Sequence, residues 1–194
     1  MNAKTAMASI AMTLGLIVQG CTLKPQYLHI DPEVKLNSAT VGDGKAIALR
    51  VTDERPDKKL GEVGDPDRKM VDVMVAEDPS PAIYERVKQA LTKLGFSVQP
   101  DVEATDRTLD IMIRKLELQS LKRPLTFDTE LRAEVAAHAV NSAANYDRQF
   151  NVRTRSQGAA PPYQKDSTIL VNTALSQALE DLLSDEQLLD LLAK

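Results

Sequence analysis

The chain has no tryptophan, one cysteine, two histidines, three phenylalanines and four tyrosines among 194 residues. A single thiol cannot close an internal disulfide, and two histidines, His29 and His138, stand far apart with no neighbouring cysteine or spaced carboxylate. That excludes a cystine-stapled scaffold and gives no metal-ligand pattern. With few aromatics, the core has to come from aliphatic burial of Leu, Ile, Val and Ala. A surplus of positive charge is also missing: 24 Lys and Arg face 28 Asp and Glu, for a net charge of -4. No basic stripe exists to neutralise phosphates, so nucleic acid is not expected as a partner. The sequence contains no GxSxG elbow, no HExxH helix and no phosphate loop. No catalytic, cofactor-binding or metal-binding residue is therefore assigned, and no cofactor is expected.

What is present begins at the N-terminus. Lys4 supplies a small positive region, and residues 6–18 form an apolar run of about thirteen residues, within secretory length and short of the roughly 20 that span a bilayer. The run ends in Val18, Gln19, Gly20 and Cys21. This order is similar to the processing site of a bacterial lipoprotein, with an aliphatic residue at Val18, a small residue before the cut at Gly20, and a thiol that can carry a diacylglycerol thioether. Gln19 departs from the small or β-branched residue usual at its place, and cleavage without lipidation is the alternative. An inert buried thiol, the ordinary fate of a free cysteine, fits the position poorly. Cys21 is accordingly the expected lipid-attachment residue. Two or three acyl chains would hold the domain firmly, each buried methylene contributing about 0.8 kcal/mol. Thr22 rather than Asp follows the cysteine, which by lipoprotein sorting rules points to the outer membrane. Removal of the leader takes away Lys4 and no acid, leaving 23 basic and 28 acidic residues.

The expected organisation is a signal peptide over 1–20, a lipidated N-terminus and tether over 21–44, and one domain over 45–194. Pro25 and Pro32 block helix in the tether, while Tyr27, Leu28, Ile30, Val34 and Leu36 give it enough apolar content to dock. Ile47, Leu49 and Val51 alternate with Ala48 and Arg50 as a half-buried strand that Asp53, Arg55 and Pro56 end. A polar loop is expected up to about Arg68, and a second strand at Val71, Val73 and Val75. Ser80 is placed to cap a helix with Pro81 at its first position; Ile83, Val87, Ala90, Leu91 and Leu94 share one face, and Gly95 stops it. Phe96 and Val98 start the next strand. After a polar turn over 101–106, Leu109, Ile111 and Ile113 alternate, and Leu116 and Leu118 continue on the other parity, which predicts a bulge near Arg114 and Lys115.

A long hairpin is expected next, because Phe127, Leu131, Ala133, Val135 and Ala137 occupy odd positions and Tyr146, Phe150 and Val152 even ones. A loop over 142–145 would pair Val135 with Val152 and Glu134 with Arg153. The stretch ELRAEVAAHAV also suits a helix by propensity. A second amphipathic helix over about 167–183 buries Val171, Ala174, Leu175, Ala178, Leu179 and Leu182. Ser184 and Gln187 have capping-box spacing for a short terminal helix whose leucines are core or a docking face. The elements imply an α+β two-layer domain, with a mixed or mainly antiparallel sheet and two long helices packed on one face.

The lipobox-like start, the strand IALRVTDERP, the helix ending in LTKLGFSV, the strand LDIMIRKLEL and the C-terminal helix together resemble the YajG family of uncharacterised bacterial lipoproteins. The resemblance covers nearly the whole chain and implies a location and a fold, with no agreed activity. Asp53 with Arg55 reads as a local ion pair before a ligand site, and Glu134 with Arg153 as a cross-strand pair. The expected function is a non-catalytic interaction or scaffolding lipoprotein, anchored in the outer membrane and facing the periplasm, with an envelope protein as partner. The alternative is a carrier of a small envelope ligand, such as a lipid or cell-wall fragment, in a groove between sheet and helices.

Overall fold

In the computed structural model, which describes residues 24–36, 40–100 and 105–194, the chain runs through β1 (Gln26–Leu28), β2 (Ala46–Asp53), β3 (Lys59–Asp65), β4 (Lys69–Val75), α1 (Ser80–Lys93) and β5 (Ser97–Gln99). It continues through β6 (Thr108–Lys122), β7 (Phe127–Val140), β8 (Asn145–Gly158), α2 (Gln164–Leu183) and α3 (Glu186–Ala193). Cys21, the signal segment, residues 37–39 and most of the polar turn at 101–104 lie outside the described residues.

β6 organises the sheet. Antiparallel β7 pairs with it from Thr108 to Lys122 and occupies one whole edge. Two parallel strands must therefore share the other edge end to end: β2 lies against Thr108–Ile113 and β3 against Leu118 and Gln119. The sheet forks there, with β5 outside β2, and β4 and β1 outside β3. It is mixed, combining parallel pairs with antiparallel β3–β4, β6–β7 and β7–β8. The expected bulge falls at Arg114, where the register shifts between Ile113 and Lys115. One extra residue turns the next side chain over, so Leu109, Ile111 and Ile113 before it and Leu116 and Leu118 after it all reach the core.

The expected polar loop before Arg68 contains β3, a correction to the sequence reading. Leu60 and Val63 are buried in it, but Gly61 and Gly64 interrupt the alternation that would have marked a strand. Gly61 is there because β3 meets β6 closely: a Cβ would sit 1.9 Å from the Leu118 carbonyl oxygen. The segment expected to dock does so and also adds β1 parallel to β4, with Leu28 and Ile30 buried.

α1 buries the expected face, including Ile83, Val87 and Leu91 at full depth, each contributing about 1.5–3 kcal/mol. Its cap differs from expectation: Ser80 makes no capping bond, and its own N–H donates to Asp78 Oδ1 at 2.9 Å. Gly95, at φ +91°, ends the helix as expected. α1 packs on β2 and β5, while α2 packs on β7, β8 and β1. All six core residues expected in α2 are fully buried. α3 is capped by Asp185 rather than Ser184, through the Leu188 N–H at 3.0 Å, and its four leucines join the core.

The hairpin forms as strands, not helix. Its inward parity is as read, yet its register is two residues from the expected one: Val135 faces Phe150, Ala133 faces Val152 and Glu134 faces Asn151. Both registers keep the same faces inward, so periodicity cannot choose between them. Asn141 chooses. Its Oδ1 accepts from the N–H groups of Ala143 and Ala144, both at 2.9 Å, and Nδ2 donates to the Leu191 carbonyl at 2.8 Å, fixing a loop over 141–144.

Candidate interaction surface

Along β6, β7 and β8, one face carries the core and packs on α2 and α3, and the other is open to solvent. The strand period of two assigns the side chains of that open face. Three lateral rows result: Glu117, Arg132 and Arg153; Gln119, Glu130 and Arg155; and Leu121, Asp128 and Gln157. Arg132 directly opposes Arg153, an arrangement that is destabilising by itself. Glu130 relieves it. Its Oε1 accepts from Arg132 Nε at 2.8 Å and lies 3.2 Å from Arg153 Nε, and its Oε2 accepts from Arg155 Nε at 2.8 Å. The Arg155 and Arg132 hydrogen bonds hold the Glu130 carboxyl below the usual carboxylate range. Three guanidiniums thus gather on one carboxylate, while over the three rows Arg132, Arg153 and Arg155 are balanced by Glu117, Glu130 and Asp128. Beside this cluster an open groove of about 610 Å³ is lined by Leu121, Arg123, Asp128, Arg132 and Arg155 among others.

Asp53 and Arg55 form the local pair that the sequence suggested. Arg55 donates through Nε to Oδ1 at 2.8 Å and through Nη2 to Oδ2 at 2.7 Å, and its side chain is only 3% exposed. The backbone N–H of Arg55 also reaches Asp53 Oδ1, which shapes the turn where β2 leaves β6. The expected Glu134–Arg153 pair does not form, because the two-residue register change carries Arg153 to Glu130. His29 pairs with Glu77 at 2.8 Å on an exposed surface, and His138 pairs with Asp147 at 2.7 Å across β7 and β8. Among the described residues, no group of three or more His, Cys, Asp or Glu is placed to hold a metal ion.

Two polar arrangements were not foreseen. Gln26 and Ser167 are buried together: Ser167 Oγ donates to Gln26 Oε1 at 2.7 Å, and Gln26 Nε2 donates to the Pro162 carbonyl at 2.8 Å. This clamps β1 to the start of α2, a contact across the chain that no local pattern announces. The second is Tyr146, whose buried hydroxyl lies near the Arg148–Asp185 ion pair. Burial and the Asp185 charge push its pKa up to about 12, so it holds its proton and cannot serve as a base at neutral pH. Asp185 is occupied in capping α3 and pairing Arg148. Arg148 and Asp185 are thus engaged, whereas the buried Tyr146 hydroxyl has no hydrogen-bond partner among the described residues.

A forked mixed sheet with three helices, an open charged face and ionisable groups engaged in local pairs defines the class: a mixed α+β domain with one face of its long strands uncovered. The chain belongs to a family described as uncharacterised lipoproteins, whose model matches residues 32–193, the YajG-type family that the sequence resembles. No curated protein matches it in sequence. Among solved structures it is similar to a Xanthomonas campestris protein of family model DUF330, at 12% identity and TM-score 0.49, covering 89% of this chain and 96% of that one. It is also similar to the lipoprotein GNA1162 of Neisseria meningitidis, at 12% identity and TM-score 0.34, covering 69% and 96% respectively.

Proposed function

We propose that this protein is a non-catalytic interaction lipoprotein, anchored through Cys21 in the outer membrane and presenting the open face of β6, β7 and β8 to another envelope protein. The observation that carries the reading is the open face itself: three long strands, two of fourteen residues and one of fifteen, whose outer side no helix covers and which concentrates arginine around Glu130. Exposed arginines whose planar donors Glu130 pre-orients suit the carboxylates of an acidic protein surface. Family membership supports the lipoprotein part of the reading.

The test is a photo-crosslinking residue at Asn151, on the open face, compared with one at Ser176 on the outer side of α2, both in intact cells. A product formed at Asn151, absent at Ser176 and lost when Arg132 and Arg153 are both changed to Glu, is the expected result. Recovery of the uncrosslinked protein alone from both positions would remove the reading. A small-ligand role is favoured by one observation, the groove of about 610 Å³, which lies on the open face and not between sheet and helices as the sequence reading had it.

A further inference from the structure

The direction in which the chain leaves the sheet fixes which end of the domain is tied to the bilayer. β1 is parallel to β4, and Gln26 lies level with Val73, four residues along from the start of β4 at Lys69. The chain therefore enters β1 from the side of the 65–68 turn, which lies about 13 Å from the level of Gln26. That turn is at the same end as the β6–β7 turn, because Lys122 Nζ donates to Asp65 and Asp67. The connection from β8 to α2 is there too, since Phe127 pairs with Gly158 and Gln26 holds Pro162. From Cys21 to Gln26 the chain spans five residues and reaches at most about 18 Å. In the other direction, Gln26 is level with Leu118 through β4 and β3, and Thr108 is ten residues away, about 33 Å. The anchor can reach the first end and cannot reach the second.

The two ends also differ in chemistry. Of the six most exposed large apolar or aromatic side chains among the described residues, Leu121 and Leu125 lie at the anchored end, while Tyr27 and Tyr163 stand about 13–17 Å from the level of the 65–68 turn. Leu125 is 87% exposed at the tip of the β6–β7 turn, which the Arg123 N–H closes by donating to the Thr126 carbonyl. Tyr27 of β1 and Tyr163 at the start of α2 are neighbours, joined where Gln164 Nε2 donates to the Tyr27 carbonyl. At the far end, the 141–144 turn of β7 and β8 presents only Asn, Ser and Ala. Two exposed leucines, Leu121 and Leu125, at the end that the anchor reaches form a small apolar patch suited to a lipid headgroup layer.

We propose that this end of the domain rests in the headgroup layer of the membrane that holds the anchor, with Leu125 inserted, so that the open face of β6, β7 and β8 stands up from the bilayer. The proposal rests on the lipid anchoring of Cys21. The test uses the full-length lipidated protein in vesicles of phosphatidylethanolamine and phosphatidylglycerol that contain headgroup-level nitroxide lipid. Because acylation consumes the Cys21 thiol, Leu125→Cys and Ala143→Cys each offer one free thiol for an environment-sensitive fluorophore. Both positions are exposed, so the fold should tolerate them. The label at 125 should be quenched several-fold more than the label at 143, with a blue-shifted emission. Equal quenching at the two sites in protein that floats with the vesicles would overturn the orientation while leaving the anchor intact. Wild-type protein that fails to float would overturn the anchor, and the orientation with it.

Discussion

Where β2 parts from β6, Arg55 is drawn almost wholly out of water with Asp53 as its partner. Removing one member of such a pair leaves the other as an uncompensated buried charge, which costs far more than an exposed pair contributes. Asp53→Ala should lower the unfolding free energy by about 3 kcal/mol in a denaturant titration, whereas loss of an exposed pair such as Lys35–Glu33 should leave it nearly unchanged. Tyr146 gives a second residue-scale expectation. Its folded pKa is raised above the unfolded value of about 10, so the proton-bound form is the one that folding favours. That contribution is whole below about pH 10 and is lost as pH rises through about 12. The chain has no tryptophan to obscure tyrosinate absorbance. A difference titration of wild type against Tyr146→Phe should therefore show the Tyr146 signal appearing only near pH 12, and a signal already complete at pH 10 would contradict the assigned burial.

Among the elements, β3 and the hairpin show where sequence was informative and where it was not. The bulge at Arg114 was legible because two runs of apolar alternation change parity across it, and no single register buries both. α1 and α2 were legible through their apolar faces. Helix caps were not, because Ser80, Asp78, Ser184 and Asp185 are all competent caps within one residue of the right place, and only backbone geometry selects among them. β3 was hidden for a different reason. Gly61 answers to the backbone of β6, a demand made by a strand more than fifty residues later. Gly61→Ala should cost at least about 2 kcal/mol, since the obstacle is a carbonyl that cannot step aside. Native-state amide exchange should localise the damage, speeding β3, β4 and β1 while leaving the β7–β8 amides protected. Uniform loss of protection would contradict the fork in the sheet.

For the whole molecule, the surface cluster at Glu130 could not be read from sequence, because two registers satisfy the same hydrophobic pattern and place different charges opposite one another. The candidate site thus emerged only with the fold, whereas Cys21 is an expectation of the N-terminal sequence alone and lies outside the residues the structure describes. Family membership and the N-terminal motif converge on a lipoprotein, and on the proposed anchoring the short connection from Cys21 to β1 makes the anchor an orienting device as well as an attachment. Every statement about placement and presentation depends on that thioether. The decisive measurement is incorporation of radiolabelled fatty acid, together with membrane flotation, for wild type and Cys21→Ala. Wild type should take up label and float, and the variant should do neither. A variant that is still labelled, or a wild type that is not, would contradict the account.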